Sequence, residues 1–245
     1  MLPDFEVLAV PMLRDNYSWA LIDRAHGQMA IVDPPETAPV EALLADTGLS
    51  LSLILLTHHH ADHIAGAEAL RRDHGCVIYG AAADQHRLPS LDRALEDGDH
   101  VGFAGSIGEV MATPGHTLGH ISFYFPGAQA LFCGDTLFSL GCGRLLEGTA
   151  AQMFTSLARF KALPPVTKIY CGHEYTEANG RFALTVEPNN QALAARIQQV
   201  AALRAKGLPT LPALLADELA TNPFLRADTM EHLAEIRTAK DHFRG

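Results

Sequence analysis

The densest chemistry in the sequence is Thr57-His58-His59-His60-Ala61-Asp62-His63, where four histidines and an aspartate fall within seven residues. Imidazole nitrogens and carboxylate oxygens are ligands for zinc and related divalent metals. His58 and His60 alternate, so in an extended segment they point the same way while His59 points away. Asp62 and His63 come a step later, where the chain turns. One pair suits one metal and the next pair suits a second metal beside it. Residues this polar are poor core filler, and their flanks are too ordered for a tag.

Other ligand types recur in matching contexts. His58 follows the apolar run Leu51 to Leu56, and His116 follows Ile107 to Ala112 by way of Thr113-Pro114-Gly115. Asp135 follows Gln129 to Cys133 and Gly134, and His173 follows Lys168 to Cys171 and Gly172. Three of the four come directly after a glycine, which lets the backbone turn and approach closely. Four distant ligand types at equivalent strand ends are hard to explain by packing.

The seven candidates divide into two sites. His58, His60 and His116 would hold one metal, Asp62, His63 and His173 the other, and Asp135 can bridge both. Two divalent ions are expected, zinc first, with iron or manganese accepted by the same donors. An open coordination position marks such a site as catalytic rather than structural, and Asp62 and Asp135 are its expected catalytic carboxylates. Metal binding brings the pKa of water from 15.7 to about 7, and attack on an acyl carbon builds negative charge that a cation can receive. The chemistry is metal-assisted hydrolysis. The sequence has no G-x-S-x-G elbow and no P-loop, so neither motif offers a competing route. His120 opens a strand and reads as a hydrogen-bonded support of the ligands. His26, His74, His86 and His100 read as surface residues.

The elements that must position these groups are short. Strands are expected at Phe5 to Val10, Tyr17 to Ile22, Gln28 to Val32 and Leu51 to Leu56, with a helix from Val40 to Asp46. A helix from Ile64 to His74 stops at Gly75, with Arg71 and Arg72 in its last turn. After a strand at Cys76 to Tyr79 and a helical piece at Ala81 to Arg87, Leu88 to Asp99 reads as a polar connection. Apolar runs at Val101 to Phe103, Ile107 to Ala112, Ile121 to Phe125, Gln129 to Cys133 and Lys168 to Cys171 are further strands. A helix from Ala150 to Ala162 precedes the last of them. After His173 four helical stretches follow: Glu174 to Thr185, Asn189 to Lys206, Pro212 to Leu219 and Asp228 to Lys240. The organisation is a mixed α/β body over 1–173 and a helical domain over 174–245.

At 245 residues with a formal charge of −10, the chain is a poor phosphate-backbone binder, which would need a basic face. No nucleic-acid partner is expected. Cys76, Cys133, Cys142 and Cys171 form no C-x-x-C pair, so a reducing compartment fits better than a disulfide framework. Met1-Leu2-Pro3-Asp4-Phe5-Glu6 shows no leader pattern, and no apolar run approaches a membrane span. The expectation is a cytoplasmic monomer acting on a small molecule, away from membranes.

The motifs T-H-x-H-x-D-H, P-G-H-T, C-G-D and G-H-E-Y resemble those of the metallo-β-lactamase superfamily. Within it, Gly141-Cys142-Gly143-Arg144, Gly172-His173-Glu174-Tyr175-Thr176, Glu187-Pro188-Asn189, Asn222-Pro223-Phe224-Leu225-Arg226 and the stretch from Arg237 through Lys240 to Phe243 are similar to the glyoxalase II family. The resemblance covers the whole chain and matches all seven ligands. It implies an α/β fold, an αββα sandwich with a dinuclear site at one edge between the sheets, followed by a C-terminal helical substrate-binding domain. It implies that Arg144, Tyr175, Arg237 and Lys240 hold the glutathione part of a thioester. The implied reaction converts S-(2-hydroxyacyl)glutathione, chiefly S-D-lactoylglutathione, to D-lactate and glutathione, the second step of methylglyoxal detoxification. Other thioesterases and lactonases share the superfamily, as does a mono-iron oxidoreductase chemistry that would leave Asp62 and His63 without purpose. The chain departs from the pattern where Leu145-Leu146 replaces an aromatic pair often found beside the basic residue. That change bears on glutathione affinity more than on the reaction.

Overall fold

The computed structural model describes residues 5–245; Met1 to Asp4, part of the stretch read above as lacking a leader, lie outside the described residues. The chain separates into two compact units. One takes the chain to Ala112 together with Gly119–Gly134, and the other takes Thr113–Leu118 and Asp135–Gly245.

The first unit opens with β1 (Glu6–Met12), β2 (Asn16–Asp23) and β3 (Gln28–Val32), followed by α1 (Ala38–Thr47) and β4 (Ser50–Leu55). Helices α2 (Ala61–Ile64) and α3 (Ala67–His74) lead to β5 (Val77–Ala81) and β6 (Arg93–Leu95). These strands form one sheet in chain order, antiparallel from β1 to β3 and parallel from β3 to β6. Parallel strands covered on both faces need continuous apolar runs, which Met29-Ala30-Ile31-Val32 and Leu53-Ile54-Leu55 supply. Val40 and Leu44, one turn apart on α1, and Ala67 and Leu70 of α3 pack with Ala20, Ile22, Met29, Ile31, Ile54 and Ile78. Burying each large aliphatic side chain contributes about 1.5–3 kcal/mol.

A second group of strands, β7 (His100–Phe103), β8 (Ser106–Ala112), β9 (Ile121–Phe125) and β10 (Ala130–Gly134), is an antiparallel meander. Phe5 joins the two groups, meeting Phe103 and Phe125 edge-on at 6.0 and 5.2 Å between centroids. Gly108 makes room for the fully buried Phe125, because a Cβ there would lie 2.7 Å from the ring.

The second unit contains β11 (Leu137–Phe138) and β12 (Gly141–Cys142), an antiparallel hairpin, then α4 (Ala150–Lys161) and β13 (Lys168–Cys171). Next come α5 (Thr176–Val186), α6 (Gln191–Arg204), β14 (Ala213–Leu214), α7 (Leu215–Thr221), α8 (Pro223–Arg226) and α9 (Met230–His242). β13 and β14 pair antiparallel. The N-terminus of α4 is fixed by a capping box between Thr149 and Gln152. α5 and α6 approach closely at Gly180, where a Cβ would meet Ile197 at 3.0 Å.

The expected α/β class and the helical C-terminal region are both present. The expected single helix over Ile64 to His74 is instead two, because Gly66 is pressed onto the backbone of Pro34 to Glu36 and donates to the Pro34 carbonyl at 3.0 Å. The supposed polar connection from Leu88 to Asp99 contains β6, whose alternation is too short to read. Gly141 and Cys142 of the Gly-Cys-Gly-Arg motif form a strand, and Pro212 to Leu219 begins in β14 before turning helical. All four cysteines are buried. Among the described residues no helix is long and apolar enough to cross a membrane.

The close fit at Gly108 generates a prediction. Gly108→Ala should destabilise the protein by about 1–3 kcal/mol through overpacking, read as a lower urea midpoint with an unchanged m-value. An unaltered midpoint would show that Phe125 has room to move.

Candidate active site

In the first unit, β4 ends at Leu55 and delivers Thr57 and His58 into a buried pocket. Asp33, just past β3 and 3% exposed, accepts from the Thr57 backbone N–H at 2.8 Å, from the Thr57 hydroxyl at 2.6 Å and from His63 Nδ1 at 3.1 Å. A carboxylate only accepts, so the Thr57 hydroxyl proton points to Asp33 and its oxygen receives His58 Nδ1–H at 3.0 Å. The tautomers follow. His58 and His63 carry protons on Nδ1 and lone pairs on Nε2, as metal ligation requires.

His58 Nε2 then lies 3.1 Å from His60 Nδ1. Two ligands each about 2.0–2.1 Å from a tetrahedral zinc lie roughly 3.3 Å apart, so this pair fits one ion. His59 turns the other way, toward Asp84 at 3.0 Å, as the alternation predicted. Asn16 Nδ2 tethers Asp62 by its carbonyl at 2.9 Å and its carboxylate at 3.2 Å, leaving Asp62 Oδ2 3.7 Å from His63 Nε2. His120, 1% exposed, stacks on His58 with centroids 4.9 Å apart. Gly134, with φ +46°, ends β10 against this group; a Cβ there would strike Thr57 Oγ1 and lie 2.8 Å from His120 Nε2.

In the second unit, His116, Asp135 and His173 come together, each buried at 4–6% exposure. His116 Nδ1 donates to the Arg144 carbonyl at 2.8 Å, which again leaves the lone pair on Nε2. Asp135 Oδ2 is 3.6 Å from His116 Nε2 and 3.4 Å from His173 Nε2. These spacings are long for hydrogen bonds and suit donor atoms around a shared cation. The loop carrying His116 is held by its neighbours, since the His116 carbonyl accepts from Leu146 and Glu147 N–H, both at 3.3 Å. Gly143 is obligatory, because a Cβ would run into the Asp135 carbonyl oxygen. The Tyr175 ring stacks flat on His173 at 4.6 Å, and Phe138 meets both rings edge-on.

A cleft of about 430 Å³ opens within this unit, lined by His116, Asp135, Phe138, Arg144, Tyr175 and Lys240 among others. Its wall is cationic. Lys240 donates to the Ala178 carbonyl at 3.2 Å and lies over Phe182 and Phe243. Burial, with the charges of Arg237, Arg181 and Arg144, pulls its pKa down to about 8, while Asp241 works the other way. Arg237 is 5% exposed and already engaged, donating to the Cys142 carbonyl at 2.9 Å and to Asp241 at 2.8 Å. It shapes the wall as much as it charges it. Arg144 is more open, with its side chain 69% exposed and 3.9 Å from Asp241. Cys142 also lines the cleft, and burial pushes its thiol up to about 11.

All four expected ligands of the first unit and all three of the second are thus gathered within their own units, and the four expected substrate contacts line the cleft. Sequence reasoning missed Asp33, Asn16 and Asp84. Asp33 in Asp-Pro-Pro reads as the end of a strand; its distance from Thr57 in sequence hides its role.

Residues 13–173 match the family model described as the metallo-beta-lactamase superfamily, and residues 174–243 match that of the hydroxyacylglutathione hydrolase C-terminus. A hydroxyacylglutathione hydrolase of Methylococcus capsulatus is 48% identical, over 98% of this chain and 99% of the relative. The crystal structure of ETHE1 from Myxococcus xanthus superposes with a TM-score of 0.72 at 26% identity, covering 98% of this chain and 92% of that one. TTHA1623, solved in a di-iron-bound form, does so with a TM-score of 0.57 at 28% identity, over 71% of this chain and 92% of that one. Fold, motifs and near full-length identity agree: the chain belongs to the hydroxyacylglutathione hydrolase family of the metallo-β-lactamase superfamily.

Proposed function

We propose that the protein hydrolyses S-(2-hydroxyacyl)glutathione thioesters, S-D-lactoylglutathione first among them, releasing the hydroxy acid and glutathione. The observation that carries this reading is the cationic cleft of the second unit, which shares His116 and Asp135 with the ligand set. Glutathione thioesters bear carboxylates, and Arg144, Arg237 and Lys240 give an acidic protein the local charge to receive them. The relatives' name supports the same substrate class.

By the donor types and motifs of the sequence, two divalent ions would be held, one by His58, His60 and His116 and one by Asp62, His63 and His173, with Asp135 available to both. Zinc suits these donors, and iron or manganese is accepted by the same atoms; the di-iron form of TTHA1623 supports a count of two. When bound, such ions supply Lewis acidity and make hydroxide available near neutral pH. The chain's own contribution is orientation. Asp33, Thr57 and the Arg144 carbonyl fix the imidazole tautomers, and Asn16 holds the Asp62 carboxylate. Asp62 and Asp135 bring the negative charge that offsets part of the cations' charge. The leaving thiolate is stable at neutral pH, so no strong general acid is required of the chain. Residues 1–173 are the catalytic part and 174–245 the substrate-binding part. The free, buried cysteines support a reducing, cytoplasmic compartment, and the net charge of −10 speaks against a nucleic-acid partner; a monomer acting away from membranes remains our expectation.

Three outcomes test this reading. The purified, metal-replete protein should turn over S-D-lactoylglutathione rapidly, and chelator treatment should abolish turnover. If it instead hydrolyses lactones or unrelated thioesters and leaves this substrate intact, the substrate assignment is wrong. Asp135→Ala should lose bound metal and activity together, each by at least about ten-fold, measured by elemental analysis alongside kinetics. Normal metal content and rate would remove Asp135 from the ligand set. Lys240 is cationic below about pH 8 and neutral above it, so KM should rise through pH 8 to 9 while kcat holds. Lys240→Met should show the high KM at every pH, and a pH-dependent KM surviving in that variant would refute the assignment.

A further inference from the structure

Glu218 is fully buried at 0% exposure, and nothing assigned above uses it. Arg196 Nη2 donates to its Oε1 at 2.6 Å. Its Oε2 accepts from the Leu140 backbone N–H at 2.8 Å and from Asn222 Nδ2 at 3.0 Å. Asn222 Nδ2 also reaches the carbonyls of Phe138 at 3.1 Å and Gly141 at 3.0 Å. Arg196 donates in addition to Ser139 Oγ at 3.0 Å and Thr221 Oγ1 at 3.1 Å. Every residue of the 138–141 turn is therefore gripped by α6, α7 or Asn222. The turn needs the grip. Leu140 has φ +59°, a left-handed conformation that leucine rarely adopts.

A buried ion pair is weak evidence for stability, because apolar residues of similar volume often hold a fold as well. What this pair does hold is the geometry at both ends of the turn. At one end the Phe138 ring stands 5.9 Å from His173 and 5.3 Å from Tyr175. At the other, the Cys142 carbonyl receives Arg237 Nη1 at 2.9 Å. We infer that Glu218 and Arg196 are positioning residues for substrate binding, setting the β11–β12 turn so that Phe138, Tyr175 and Arg237 form the glutathione-facing wall of the cleft. The inference rests on the reaction proposed above. His173 and Asp135 follow their own strand ends, β13 and β10, so the effect is on binding the thiol part and not on the hydrolytic step.

The test compares two substrates, S-D-lactoylglutathione and the lactoyl thioester of a small uncharged thiol. Two variants are assayed: Glu218→Gln, which leaves the Leu140 N–H an acceptor but opposes an amide to Arg196, and the apolar pair Arg196→Met with Glu218→Leu, which fills the volume without charge should the first fail to fold. KM for S-D-lactoylglutathione should rise about ten-fold with kcat within a factor of about two. The Kd for free glutathione should rise in parallel, while kcat/KM for the small thioester stays at the wild-type value. Equal losses on both substrates would show a merely structural pair, and unchanged constants on both would show that the turn holds itself; either overturns the inference. Wild-type protein inactive on S-D-lactoylglutathione would instead overturn the proposed reaction, and this inference with it.

Discussion

A neutral imidazole has a single lone pair, and the hydrogen bond made by one nitrogen decides where it is. The candidate site is organised around that constraint. Asp33 accepts from Thr57 and from His63, Thr57 accepts from His58, and the Arg144 carbonyl accepts from His116. Each contact commits one nitrogen to the scaffold and turns the other outward as a donor. The elements serve these contacts. Strand ends bring Thr57 and Asp33 together, and Gly134 and Gly143 exist as glycines because Thr57, His120 and the Asp135 backbone occupy the space a Cβ would take.

Much of this was legible in the sequence, and the reasons differ by residue. The histidine cluster is legible because its ligands are close in sequence and alternate. His116, Asp135 and His173 are legible because each follows an apolar run by a short turn. Asp33 is not, since an aspartate before two prolines reads as punctuation and its partners are 24 and 30 positions away. Asn16 is hidden for the same reason, 46 positions from Asp62. The broken helix at Gly66 turns on a contact with Pro34 that no helical periodicity encodes. The α/β class was thus readable, and the seven candidate donors stand out by type and position, whereas the groups that orient them depend on tertiary neighbours.

Charge is distributed against the average. An acidic chain concentrates Arg144, Arg181, Arg237 and Lys240 around one cleft, and burial together with their mutual repulsion pulls the Lys240 pKa down to about 8. Asp241 lies among them, 2.8 Å from Arg237, and keeps the cluster from being a bare positive field. Such clusters are worth more against a desolvated carboxylate than against water, and they lose strength as salt is added.

Cys142 lies in the wall of that cleft with its thiol held near pKa 11. Thiolates, not thiols, attack acyl carbons, and at pH 7 a group of that pKa is ionised in roughly one molecule in ten thousand. A cleft built to receive a thioester would otherwise expose its own sulfur to acyl exchange, each turnover risking a stable adduct on the wall. Burial that keeps Cys142 neutral lowers its reactivity toward the very bond the cleft presents for cleavage.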